Sequence, residues 1–277
     1  MATSDAAQNV LVARRARIET VWEESGEVKS YTLSMADGDN QAFRPGQFVE
    51  IYIPGSGEST FAVSRIHDQG ALFTVTVKRM GHNTGVLHRM AVGEFVGVRG
   101  PYGNHFPLEK WKGLDLVIVG GGIGLAPLRP VIDEVVRQRR DYGAICVLEG
   151  ARSPREIIYR DDLAEWERRP DLTLVTTIDA PHPSWNGRVG LVPSLVKEIP
   201  VKPERCVAVI CGPPIMIKFT VSAFLDLGLP ADRIFTTLEM KMQCGIGQCG
   251  RCNIGGVLIC RDGPVFCVAD FPPQALS

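Results

Sequence analysis

The chain has 277 residues, enough to bury a sizeable core and to divide into two domains with a small third part. Its net charge of −1 leaves no basic footprint for nucleic acid, and no apolar run reaches the ~18 residues needed to span a bilayer. The opening MATSDAAQNV lacks the basic and apolar regions of a signal peptide, so eight cysteines point to a reducing compartment and to metal or redox duty. The expectation is a soluble cytoplasmic protein without membrane insertion.

Along residues 16–99, short strands are expected at 16–22, 28–35, 47–53, 61–64, 71–77 and 95–99. Several alternate with period two: Phe73, Val75 and Val77 share one face, Thr74 and Thr76 the other. Asp37-Gly38-Asp39, Pro45-Gly46, Pro54-Gly55-Ser56-Gly57 and Asp68-Gln69-Gly70 separate the runs with turn-forming residues. Short strands at even spacing predict a small all-β barrel rather than a parallel sheet. A helix is expected at 84–90. Gly81, His82, Asn83 and Thr84 lead into it and suit a phosphate, because a helix N-terminus offers free N–H groups. An ordinary helix cap by Asn83 or Thr84 accounts for the same residues. Gly100-Pro101-Tyr102-Gly103-Asn104 reads as a turn closing the barrel, and the five histidines show no ligand spacing.

After Gly113 the period changes. Apolar strands at 116–119, 144–148, 172–177, 206–211 and 234–238 alternate with helices through about 140 and at 160–168, 191–198 and 215–227. That alternation predicts an α/β doubly wound parallel sheet, whose ligands sit beyond the carboxyl ends of the strands. Gly120, Gly121, Gly122, Ile123 and Gly124 end the first of these strands, where missing side chains let a pyrophosphate approach the backbone. Close strand–helix packing would need the same glycines. Cys211-Gly212-Pro213-Pro214-Ile215-Met216 ends another strand, with prolines that stiffen the loop and start a helix. Together the two loops form a mouth at one sheet edge. Glu149 would suit a ribose hydroxyl and Arg152 a 2′-phosphate, which leaves NAD and NADP both open. Cys146 and Cys206, inside strands, read as small core residues.

The densest signal is the run of Cys244, Cys249, Cys252 and Cys260, spaced C-x4-C-x2-C and then seven residues to the last. Its first three members match the plant-type [2Fe–2S] spacing, and the glycines between them allow the backbone to wrap a cluster closely. Four thiolates also make a structural zinc site, although such sites usually carry two C-x-x-C knuckles and only Cys249 and Cys252 form one here.

These motifs together resemble the ferredoxin–NADP⁺ reductase-like flavoproteins, and more closely their electron-transfer subunits with a C-terminal [2Fe–2S] module. GGIGLAPLRPVIDEV (121–135) and GARSPREIIYRDDL (150–163) are similar to the gamma subunits of cytoplasmic NAD(P)-linked hydrogenases and sulfhydrogenases. CRDGPVF (260–266) is similar to the electron-transfer subunit of dihydroorotate dehydrogenase. The resemblance implies three parts: an FAD-binding barrel at 10–107, an NAD(P)-binding α/β domain at 108–238 and a [2Fe–2S] module at 239–277. It places the flavin near Phe61, Ala62, Val63 and Ser64, with Val77, Lys78 and Arg79 beside it, and the FAD pyrophosphate near Gly81, His82, Asn83 and Thr84. It places NAD(P) on Gly121, Gly122, Ile123 and Gly124, on Gly212, Pro213 and Met216, and near Arg152. Cys211 would be the catalytic residue beside the reacting nicotinamide carbon, and Cys244, Cys249, Cys252 and Cys260 would hold the cluster.

There is one departure. The family's Arg-x-Tyr-Ser flavin motif falls on Ser59-Thr60-Phe61-Ala62, so the pyrophosphate-pairing arginine and the hydroxyl facing the flavin are absent. Glu58 adds like charge, which leaves Lys78, Arg79 or backbone N–H groups to hold the phosphates. Cys267 has no role in the scheme. The expected function is an adaptor passing electrons between NAD(P)H and a catalytic redox subunit of a heteromeric complex, with flavin converting a hydride into single electrons. The resemblance favours a hydrogenase-like complex; a dihydroorotate dehydrogenase electron-transfer subunit, a free-standing NAD(P)H oxidoreductase and a zinc-stabilised scaffold are the alternatives.

Overall fold

The computed structural model describes residues 10–67, 70–199 and 202–270, so Asp68 and Gln69 of one expected turn lie outside the described residues. Strands β1 (Arg14–Ser25), β2 (Val28–Met35), β3 (Phe48–Ile53), β4 (Gly57–His67), β5 (Leu72–Lys78) and β6 (Phe95–Tyr102) close into an antiparallel barrel in the order β1-β2-β5-β4-β3-β6. Alternation drives the closure. Phe73, Val75 and Val77 of β5 point inward with Ile18, Leu33, Val49, Ile51 and Val98. Thr74 and Thr76, on the opposite face, are buried as well, because the second half of the chain packs over them. Helix α1 (His82–Leu87) begins two residues before its expected start, since the Thr84 hydroxyl accepts the N–H groups of Met80 and Gly81 at 2.9 and 3.0 Å.

The second half forms one sheet from β7 (Asp115–Gly121), β8 (Ile145–Ala151), β9 (Thr173–Ile178), β10 (Arg188–Val189), β11 (Cys206–Cys211) and β12 (Ile234–Thr237), in the order β10-β9-β8-β7-β11-β12 and parallel throughout. Helices cover both faces, so the central strands β7, β8 and β11 are apolar at most positions. Ile118, Val147 and Val209 pack on α2 (Leu125–Arg137) and α3 (Arg160–Glu167). Val117, Leu148 and Ile210 pack on α4 (Val192–Leu195) and α5 (Pro214–Asp226). The expected helix at 191–198 is thus one α-turn, continued by a tighter 3-10 turn. No helix among the described residues is long and apolar enough to cross a membrane.

Beyond β12 the cysteine loop carries a two-strand ribbon, β13 (Asn253–Ile254) and β14 (Val257–Leu258), and a short helix, α6 (Ile259–Asp262). The chain then returns as β15 (Val265–Cys267), antiparallel to β12, and completes a seven-stranded sheet. Cys267 therefore sits in a strand, opposite Phe235, and its thiol faces the Ala231 carbonyl at 3.5 Å. The barrel and the sheet are joined by charge: Arg65 of β4 donates twice to Asp133 of α2, at 3.0 and 3.1 Å, and once to Asp162 at 2.7 Å.

Candidate active site

Strand β7 has β8 on one side and β11 on the other, so the strand order reverses there and a crevice opens between the two following loops. The loops touch. A Cβ on Gly124 would lie 2.4 Å from the Cys211 carbonyl oxygen, and one on Gly121 would lie 2.3 Å from Met216 Sδ. Gly122 adopts φ +56, a conformation that side-chain-bearing residues rarely take.

The crevice faces the barrel across a cavity of about 950 Å³, at the upper end of the roughly 300–1,000 Å³ usual for ligand sites. Phe61, Ala62, Thr76, Lys78 and Thr84 line its barrel side. Gly121, Gly122, Ile123, Gly124, Arg152, Gly212, Pro213 and Met216 line the sheet side. These are most of the nucleotide-binding residues expected from sequence. Val63 and Val77 instead turn into the barrel core, and Ser64 is fully buried behind the cavity wall. Arg79, Gly81, His82 and Asn83 stand outside the lining. Asn83 ties this corner together, donating to the Glu58 carbonyl and the Ser59 hydroxyl and accepting from the Ser56 hydroxyl.

Cys211 is 2% exposed, just beneath the crevice, where the Thr237 hydroxyl donates to its sulfur at 2.9 Å. Burial first, and then the nearby Glu239 carboxylate, push its thiol up to about 12, so it stays protonated at neutral pH. Glu239 opens onto the cavity yet is crowded by protein, which raises its pKa. Thr237 and Glu239 were both legible as residues at a strand's carboxyl end, but no motif marked them. Glu149 requires a correction. It is wholly buried, and burial raises its pKa well above the usual carboxyl range, against a smaller lowering by the Gly122 backbone N–H, which stands too far off for a well-formed hydrogen bond. A Cβ on Gly120 would stand 2.3 Å from its Oε2, so Glu149 packs under the glycine loop and reaches no ribose. The acidic groups on the cavity are Asp179, Glu156 and Glu239, and Glu156 already holds Arg152 at 2.6 Å.

Cys244, Cys252 and Cys260 share an apolar cluster with the cavity-lining Phe48, Leu238 and Met242. Cys252 and Cys260 sulfurs approach to 3.3 Å. Backbone N–H groups point at three of the four sulfurs: Gly247 at Cys260 (3.0 Å), Gln248 and Cys249 at Cys244 (3.3 and 3.5 Å), and the Cys260 N–H at Cys252 (3.4 Å). Burial raises the Cys244 thiol, but N–H groups of Cys249, Ile246 and Gln248 outweigh it and bring it down to about 6, in the thiolate range at neutral pH. Burial pushes Cys260 up to about 12. Cys249 is exposed. Among the described residues no three potential ligands are drawn together tightly enough to hold a single metal ion. The loop is nevertheless built for sulfur: thiols on one side and N–H donors wrapped around them, the donor set a [2Fe–2S] cluster uses.

The barrel fixes this loop. Arg99 of β6, 5% exposed, grips the Glu58 carboxylate with two bonds of 2.9 and 2.8 Å and donates to the carbonyls of Cys244 (2.9 Å) and Gln243 (3.0 Å). The like charge expected from Glu58 is thus cancelled within the protein. Asn104 clasps the other end, donating to the Asp262 and Val265 carbonyls and accepting the Val265 N–H. Phe48, Leu238 and Met242 line the cavity on one side and pack with Cys252 and Cys260 on the other.

Residues 118–222 match the oxidoreductase NAD-binding domain family. The gamma subunit of sulfhydrogenase 1 from Pyrococcus furiosus is 34% identical over 275 residues, covering 95% of this chain and 93% of that protein. A probable dihydroorotate dehydrogenase B (NAD(+)) electron transfer subunit from Methanocaldococcus jannaschii is 32% identical, covering 90% and 88%. Among solved structures, a chain from a study of flavin-based electron bifurcation by the NADH-dependent reduced ferredoxin-NADP oxidoreductase superposes with a TM-score of 0.76 at 26% identity, covering 92% of this chain and 88% of that one. Near-full-length likeness in sequence, together with the barrel-and-crevice architecture, makes this chain a member of the ferredoxin–NADP⁺ reductase-like electron-transfer subunits, the family of the sulfhydrogenase gamma subunits.

Proposed function

We propose that the chain is the NAD(P)H-linked electron-transfer subunit of a hydrogenase-like complex, with FAD and a pyridine nucleotide in the large cavity and a [2Fe–2S] cluster on Cys244, Cys249, Cys252 and Cys260. Phe48, Leu238 and Met242 carry the reading, because they line the cavity and also belong to the apolar cluster that holds Cys252 and Cys260. When bound, a flavin takes a hydride as a pair of electrons and yields them singly, and a cluster accepts one at a time.

The chain's own residues position and insulate these groups. Phe61, Ala62 and Thr76 offer a largely apolar seat for the flavin ring, with Lys78 as the cation toward its phosphates. Gly121, Gly122, Ile123 and Gly124, with Gly212, Pro213 and Met216, admit the nucleotide against bare backbone. Cys211, kept neutral and aimed by Thr237, supports the nicotinamide from below the crevice. Arg99 and Asn104 hold the cluster loop at a fixed distance. Exposed Cys249 gives the electron an exit toward a catalytic redox subunit. The division at 10–107, 108–238 and 239–277, and a cytoplasmic location suited to eight free thiols, belong to the same proposal.

Anaerobic purification from native extract tests the reading, with assays of flavin, iron, sulfide, zinc and companion chains. The expected result is one FAD, two irons and two sulfides per chain in a complex with another redox subunit. Zinc at the thiols and no flavin would overturn it.

A further inference from the structure

We propose that Thr76, Ser30 and Glu24 form a proton exit route leading from the flavin–nucleotide cavity, along the buried outer face of the barrel, to a second cavity between barrel and sheet. The inference rests on the electron-transfer reading above and adds to it a path for the proton. The overall chemistry requires one. NAD(P)H gives up two electrons and its C4 hydrogen as hydride, and two one-electron acceptors take only the electrons. The balance is NAD(P)H + 2 acceptor(oxidised) → NAD(P)⁺ + 2 acceptor(reduced) + H⁺. The C–H bond breaks inside the cavity, so a proton must leave it.

The route is visible as a chain of hydroxyls. Thr76 lines the large cavity on β5. Its Oγ1 lies 2.9 Å from the Ser30 hydroxyl, and Ser30 donates to the Glu24 carboxylate at 2.6 Å. Ser30 and Thr76 are each 5% exposed. Because the single Ser30 hydrogen goes to Glu24, Ser30 must accept from Thr76, so both hydrogens already point toward the carboxylate. Thr76 in turn accepts from the Tyr159 phenol at 2.6 Å and meets the Ser64 hydroxyl at 2.9 Å. Ser64 has an alternative acceptor in the Thr74 carbonyl at 3.1 Å. When its hydrogen turns there, Thr76 has a lone pair free for a donor in the cavity.

Glu24 is half-buried on the edge of a cavity of about 380 Å³, lined also by Trp22, Arg65, Arg129 and Asp162. Buried hydroxyls commonly satisfy one another. This set differs in beginning at one cavity and ending on a carboxylate at another. The fold also accepts strain to complete it. Tyr159 has φ +54, among the described residues the one non-glycine with positive φ. That conformation lets its N–H reach Glu24 Oε2 at 3.0 Å while its phenol reaches Thr76, under the Arg129 guanidinium 4.2 Å from its ring.

The test uses the holoprotein with its bound flavin. Glu24→Gln keeps an acceptor for Ser30 but cannot take the proton, Ser30→Ala cuts the chain, and Ser30→Thr restores the hydroxyl. Reoxidation after photoreduction should be slowed about tenfold or more in Ser30→Ala and Glu24→Gln, at unchanged flavin content. Ser30→Thr should recover most of the rate. In infrared difference spectra, a carboxylic acid C=O band should appear during wild-type reoxidation and be missing in Glu24→Gln. Wild-type rates in both blocking variants, or loss of the proton step only in Glu239→Gln, would overturn the relay and leave the electron-transfer function standing. A wild-type chain that binds no flavin would overturn both.

Discussion

Replacing Arg99 with leucine probes how the cysteine loop is held to the barrel. The guanidinium is 4% exposed and its partner Glu58 is 33% exposed. Removing one member of a buried ion pair costs about 3–5 kcal/mol, and the water still reaching Glu58 places this case near ~3. The Cys244 and Gln243 carbonyls also lose charged donors, adding ~1 kcal/mol each where water does not replace them. The total of ~3–5 kcal/mol corresponds to a fall of roughly 10 °C in apparent Tm for a chain of this size. Because a cofactor-bearing chain does not unfold in two states, the useful measurement is a pair: thermal midpoint by fluorescence and iron per chain after desalting. Arg99→Leu should lower both. Arg99→Leu combined with Glu58→Leu should regain at least half of the lost midpoint, since no charge is then stranded. A single variant within about 2 °C of wild type, with full iron, would refute the reasoning, and so would a double variant as unstable as the single.

Glu50, 1% exposed, has its carboxyl raised by burial to about 7 from an ordinary 4.5. An acid with a raised folded-state pKa favours the native state below its unfolded pKa and loses that advantage as pH rises to the folded value. Stability should therefore drop by on the order of 3 kcal/mol between pH 4.5 and 7, and Glu50→Gln should flatten that slope in urea titrations; an unchanged slope contradicts the assignment. Gly124→Ala forces a methyl to within 2.4 Å of the Cys211 carbonyl. It should cost about 1–3 kcal/mol and weaken nicotinamide binding measured by calorimetry. Thr237→Val removes the donor to Cys211; hydride transfer in stopped-flow should slow while nucleotide affinity holds, and an equal loss in both would show the contact to be merely structural. Removing iron with a chelator should raise hydrogen exchange at 243–260 and leave β2 and β5 protected, whereas uniform loosening would argue against a locally built site.

The parts of this molecule that were legible in the sequence are those whose cause is local. Phe73, Val75 and Val77 announce an inward face by period two, and the cysteine spacing announces a thiol-bearing loop in which Cys252 and Cys260 approach to 3.3 Å. What escaped depends on partners far away in the chain. Glu149 reads in sequence as the end of an apolar strand and so invites a ribose, but β8 runs on to Ala151, and strand alternation turns that side chain under the glycine loop. Arg99 sits in an unremarkable run and acquires meaning only by meeting Cys244, 145 positions later. Thr76 read as the outer face of a strand. Its burial follows from the sheet half of the chain closing over the barrel, which no period in β5 records.

The return of the chain as β15 has a mechanical consequence. The cysteine segment leaves the sheet at β12 and rejoins it one strand over, so both its ends are anchored to neighbouring rungs of a single ladder. On the proposed reading, an acceptor would come to the exposed Cys249 edge, and the span from flavin to thiols would be a built dimension rather than a stroke.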